Sequence, residues 1–171
     1  MENFDAVGPW EQRTINILKS LMIFFAMALA LLMVVTVILR YGVEKPFLAI
    51  EEAAVLLGLW LYFVSAAYVT GARAHICGGA LHLVVKTEQG RRVVRFLSTL
   101  LCLSVSCVAL YYAAKYGWFT FDKGRKSTYL QWPKYLWVAS MVFGFIVMTL
   151  FLALQGRRDF AALREEEAHQ C

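Results

Sequence analysis

The residues able to do chemistry in this 171-residue chain stand beside long apolar runs, not inside them. Glu51 and Glu52 form a carboxylate pair at the mouth of one run, and Arg40-Tyr41 closes the run before it. Two carboxylates and a guanidinium can pair electrostatically, or the acids can carry protons if they sit deep in a membrane. His75 and His82 are seven residues apart, and a metal centre needs more ligands than that. A structural or headgroup role fits them better. The four cysteines form no C-x-x-C and read as unpaired, small apolar filler. Ser/His/Asp and phosphate-loop signatures are missing. The inventory therefore predicts no catalytic, cofactor-binding or metal-binding set, and a function that is not enzymatic.

The elements that hold these residues are set by where charge is absent. No Asp, Glu, Lys or Arg occurs in 20–39, 53–72, 96–114 or 135–156. At about 1.5 Å per residue, windows of about 20 residues span the roughly 30 Å hydrocarbon core. Barrel strands would be about half that length and would alternate in polarity. The sequence thus predicts an all-α membrane protein of four transmembrane helices, one domain over 1–171, with short interfacial helices in the loops and a polar tail at 157–171. The first run follows a segment carrying Glu2, Asp5 and Glu11 and is longer than a signal h-region, so it is expected to stay in the protein.

The connections add detail. Pro46 suits the first turn of a helix. Residues 47–52 are then a short interfacial helix or the first turns of span two, with both glutamates at headgroup level. Arg40 and the glutamates share one side of the membrane and are expected to pair there or to meet a partner's helices. Snorkelling to headgroups is the plainer alternative for Arg40. Along span two, Glu51, Gly58, Ser65 and Ala72 repeat every seven residues, a stripe of small side chains suited to helix packing. Residues 73–95 carry five bases against one acid, and Leu81, Val84 and Val85 suit a short amphipathic surface helix. Aromatic residues from Tyr111 to Phe121 and from Trp132 to Trp137 form one interfacial belt. Between them lies a basic loop with Lys123, Arg125 and Lys126, a candidate contact for anionic lipid or an acidic partner. The side holding both termini and the 73–95 connection has ten Lys and Arg residues, and the other two loops have seven. That bias predicts cytoplasmic termini. The net charge of +5 is read as membrane orientation and lipid contact, with no nucleic-acid partner.

No span contains a charged residue or a histidine. Ion-coupled carriers keep an ionisable group inside the membrane. A four-helix haem protein needs inward-facing histidines. Packing and anchoring are the functions that remain. Two alternatives stay open: a self-sufficient multidrug-type carrier with Glu51 or Glu52 lying deep, and a four-helix membrane redox subunit.

On these residues the chain resembles the small membrane subunit, DctQ type, of tripartite ATP-independent periplasmic (TRAP) transporters. Ile38-Leu39-Arg40-Tyr41 ends span one, Glu51-Glu52 opens span two, and G-x-x-x-H-I stands at Gly71, His75 and Ile76. Gly124, Ser127, Leu130, Pro133 and Trp137 precede or open span four. After Ile76 the chain departs from the family pattern, with Cys77-Gly78-Gly79 where a basic residue, an apolar one and an aspartate often stand. The resemblance implies a multi-pass protein of the bacterial inner membrane. It also implies a large elevator-type membrane subunit and a periplasmic substrate-binding protein as partners. Sodium coupling and an organic-anion substrate, a carboxylate or related acid, would belong to the complex. The sodium ions would lie in the large subunit, and this chain would pack against its static scaffold.

Overall fold

A computed structural model describes residues 8–42, 48–72 and 88–169. Four helices carry the described chain: α1 (Pro9–Tyr41), α2 (Leu48–Gly71), α3 (Glu88–Asp122) and α4 (Tyr135–His169). All four are long and apolar enough to cross a membrane. With no water in the bilayer core, a helix satisfies every backbone N–H and C=O within its own segment. Buried hydroxyls follow the same rule by donating back one turn, as Thr70 does to the Ala66 carbonyl and Thr120 to that of Tyr116.

Three helices run further than the apolar windows predict. At about 1.5 Å per residue, 33 to 35 residues make rods of about 50 Å, longer than the hydrocarbon core. The N-terminal segment is the first turns of α1. Pro9 starts it, and the Glu11 side chain accepts the Gly8 N–H at 3.0 Å. The polar tail expected from residue 157 onward continues α4 without a break to His169. Residues 48–52 are the first turns of α2. The other expected interfacial helix, carrying Leu81, Val84 and Val85, lies outside the described residues.

α1 packs on α2, α2 on α4, and α4 on α3. α2 and α4 are therefore the inner pair, flanked by α1 and α3. Ile15 and Leu18 of α1 are buried with Val64 and Ala67 of α2 and Phe151 of α4. Trp60 of α2 stacks on Phe25 of α1 at 5.8 Å and meets Phe143 of α4 at 6.0 Å, so one aromatic ladder crosses three helices. α2 and α4 approach closely at Gly144, where an added Cβ would lie 2.7 Å from the Cβ of Phe63. Ser140, one turn earlier, is fully buried. The Ser140/Gly144 pair is thus a packing seam, whereas Ala26 and Ala30 on α1 stay exposed. Ser106 and Thr149 share a hydrogen bond of 2.8 Å between α3 and α4.

Candidate functional site

The most polar arrangement in the described chain lies at the end of the bundle away from the termini. Gly124 follows the end of α3, and its φ of 54° is the left-handed conformation that suits glycine just past a helix C-terminus. The chain then folds back on itself. The Ser127 N–H donates to the Trp132 carbonyl at 2.7 Å, and the Lys134 N–H to that of Arg125 at 2.9 Å. Gln131 takes φ 55°, and its side-chain amide donates to the Thr128 carbonyl at 3.1 Å. Pro133 stands at the closing rung, opposite Lys126.

The turn so formed aims a run of backbone N–H groups inward, and Glu52 occupies it. The Thr128 N–H reaches Oε1 at 3.0 Å and the Leu130 N–H reaches Oε2 at 3.0 Å. The Tyr129 N–H is shared between the two oxygens at 3.2 and 3.3 Å. The Ser127 hydroxyl donates to Oε2 as well. Consecutive amides that converge in this way form an anion-binding concavity, and a carboxylate offers only acceptors to it. Glu52 opens α2 and the turn opens α4, so one side chain ties the two hairpins of the bundle together. Chemically this is a structural clasp.

Arg40 does not take part. It is exposed at the end of α1 and, among the described residues, forms no ion pair with Glu51 or Glu52. Among the described residues three amides and a hydroxyl engage the Glu52 carboxylate in place of Arg40, and contact with a partner's helices is the other expectation for Arg40 and the glutamates. Glu51 faces away from the clasp and is exposed, as is Tyr41. Gly58 opens on empty space, with nothing within 4 Å of an added Cβ, and Ser65 is half-buried. Within this chain Ala54, beside the small-residue stripe, is buried, whereas the stripe itself is open at Gly58. Lys123, Arg125 and Lys126 are exposed on the loop that the clasp anchors. Arg125 lies over the Phe119 ring at 5.2 Å. Gly71 is buried at the opposite end, where an added Cβ would stand 3.0 Å from Phe151 and 3.3 Å from Ile15. His75 and Ile76 lie outside the described residues.

That opposite end carries a second polar set, which the sequence reading missed. Arg158 of α4 pairs with Glu11 of α1 at 2.5 Å. The Gln155 side-chain amide donates to the Thr70 carbonyl of α2 at 2.8 Å, and the Thr99 hydroxyl of α3 donates to Asp159 at 3.1 Å. These contacts lock all four helices near the termini. A signal existed: Glu11 sits three residues after Gly8 at a helix start, and an even number of spans brings it to the side where α4 ends.

Comparison with curated proteins gives no match. The model of the family described as "Tripartite ATP-independent periplasmic transporters, DctQ component" matches residues 29–162. That stretch includes the end of α1, the whole of α2, and the Gly124–Trp137 turn that receives Glu52. The four membrane-crossing helices, the non-catalytic clasp and this match over most of the chain agree, and the chain belongs to the DctQ family, the small membrane component of TRAP transporters.

Proposed function

We propose that this chain is the fixed accessory subunit of a sodium-driven transporter for organic anions, and that it packs against and stabilises the static scaffold of the large elevator-type subunit. The family places it in a tripartite complex with a large membrane subunit and a periplasmic binding protein, as a multi-pass inner-membrane protein without catalysis. One observation supports the finer reading. α2 is central to the bundle, yet Glu51, Val55 and Tyr62, spaced to lie on one face, are exposed, and Gly58 between them has nothing within 4 Å of an added Cβ. Val55 is 57% exposed and Tyr62 66%. A helix with neighbours on both sides and an open, glycine-bearing stripe headed by a carboxylate suits close approach by a helix of another subunit. Arg40 and Tyr41, exposed at the same end of the bundle, extend that surface, and Ser65 borders it. In this reading the termini are cytoplasmic, the clasped loop is periplasmic, and Lys123, Arg125 and Lys126 face the binding protein. Sodium and solute are held by the large subunit, and this chain carries no cofactor.

The test is co-purification with the large subunit. Gly58→Leu adds bulk only into open space, so the isolated chain should keep its thermal stability in detergent. The same substitution should sharply reduce recovery of the complex. Undiminished recovery with Gly58→Leu and with Glu51→Lys would move the partner surface elsewhere.

A further inference from the structure

Beside that face of α2, and sharing Val55 with it, a groove of about 460 Å³ runs down from the clasp between α2 and the α3–α4 hairpin. Its volume falls within the roughly 300–1,000 Å³ of sites that hold small molecules. The walls are apolar: Leu59 and Phe63 from α2, Val138 and Met141 from α4. The mouth is polar and lies at the level of the aromatic belt, where Lys134, Tyr116 and Trp137 border it. The Glu52 carboxylate also reaches the mouth, but the amides of 128–130 and the Ser127 hydroxyl already engage it. Lys134 is thus the charge at the mouth left to meet a ligand. Its backbone N–H is tied to the Arg125 carbonyl, which fixes where the side chain starts. Lys123, Arg125 and Lys126 crowd the same loop and make the local field positive.

We propose that this groove is a binding site for one anionic phospholipid, with an acyl chain along Leu59, Phe63 and Met141 and the phosphate on Lys134. An apolar slot that opens under a cation at headgroup depth matches an amphiphile with an anionic head. Basic pockets between membrane helices take lipid headgroups in this way. Such a lipid would seal the gap between α2 and the α3–α4 hairpin just below the clasp.

Native mass spectrometry of the transporter complex, released from detergent and titrated with phosphatidylglycerol, reads the occupancy. One lipid per copy of this chain should be retained, and phosphatidylethanolamine should be held more weakly. Lys134→Ala should lower retention about fivefold, and Lys134→Arg should preserve it. Leu59→Trp, which fills the slot, should abolish it. Lys19→Ala, on α1 outside the groove, should leave it unchanged. The mass of the intact complex in the same spectra reports assembly separately from lipid binding. Equal retention by wild type and Lys134→Ala would overturn the proposal. So would an equal loss in Lys19→Ala, equal retention of the two lipids, or a disulfide from Leu59→Cys to a helix of the large subunit.

Discussion

At the scale of single residues, Glu52 does what its sequence neighbour cannot. Both glutamates open α2, but successive helix positions point about 100° apart, so only one can face the 127–130 turn. The clasp needs two acceptor oxygens and full side-chain reach. Glu52→Gln keeps one acceptor and introduces an N–H₂ that meets the turn's own donors. Amide hydrogen exchange at Thr128, Tyr129 and Leu130 should then speed up, while the Ser106 region of α3 keeps its protection. Unchanged exchange at those three amides would show that the turn holds its shape without the carboxylate. Gly124 should be equally specific. A β-branched residue at its φ of 54° is strained by roughly 1–3 kcal/mol, so Gly124→Val should destabilise the loop and Gly124→Asn far less. Limited proteolysis within 123–134 distinguishes the two variants.

At the scale of elements, helix–helix contact in lipid depends on close approach and on a few interhelical hydrogen bonds, because lipid tails are as apolar as leucine. Gly144 is one point of close backbone approach. Gly144→Leu must displace Phe63, and overpacking of this kind costs about 1–3 kcal/mol, read as earlier unfolding of the purified chain in detergent. The Ser106–Thr149 bond should be worth less, on the order of 0.6 kcal/mol in a double-mutant cycle with Ser106→Ala and Thr149→Val. The helices themselves were legible in the sequence, because charge-free windows of spanning length leave little choice of structure. Their ends were less legible. Glu11, Arg95 and Arg158 look like boundaries in a charge pattern, but a helix longer than the hydrocarbon core continues into the headgroups and carries charges there. The clasp was half legible. Glu52 and the Gly124–Trp137 pattern both stand out in the sequence, but the sequence offers Glu52 only Arg40 or a partner's helices, because side-chain charges are what a sequence makes visible. The actual donors are backbone N–H groups, which nearly every residue possesses, so their convergence depends on the dihedrals at Gly124 and Gln131.

At the scale of the whole molecule, polar contacts sit at the two ends of the bundle and apolar ones lie between. Glu52 fastens the loop end, and Glu11–Arg158 fastens the end with the termini. The latter pair is partly open, with side chains 37% exposed for Arg158 and 12% for Glu11, so it contributes at most about 1 kcal/mol. Arg158→Glu should weaken the chain slightly, and adding Glu11→Arg should restore it, as measured by thermal unfolding at low salt. A bundle tied at both ends, with no charged residue in its four apolar windows, fits the proposed role of a fixed subunit beside a moving neighbour. That is the central claim, and uptake into proteoliposomes tests it most directly. The solute retained by the associated binding protein is offered, with that protein and a sodium gradient, to vesicles holding this chain alone, the large subunit alone, or both. The account predicts uptake only where both membrane subunits are present. Uptake into vesicles that hold this chain alone would contradict it.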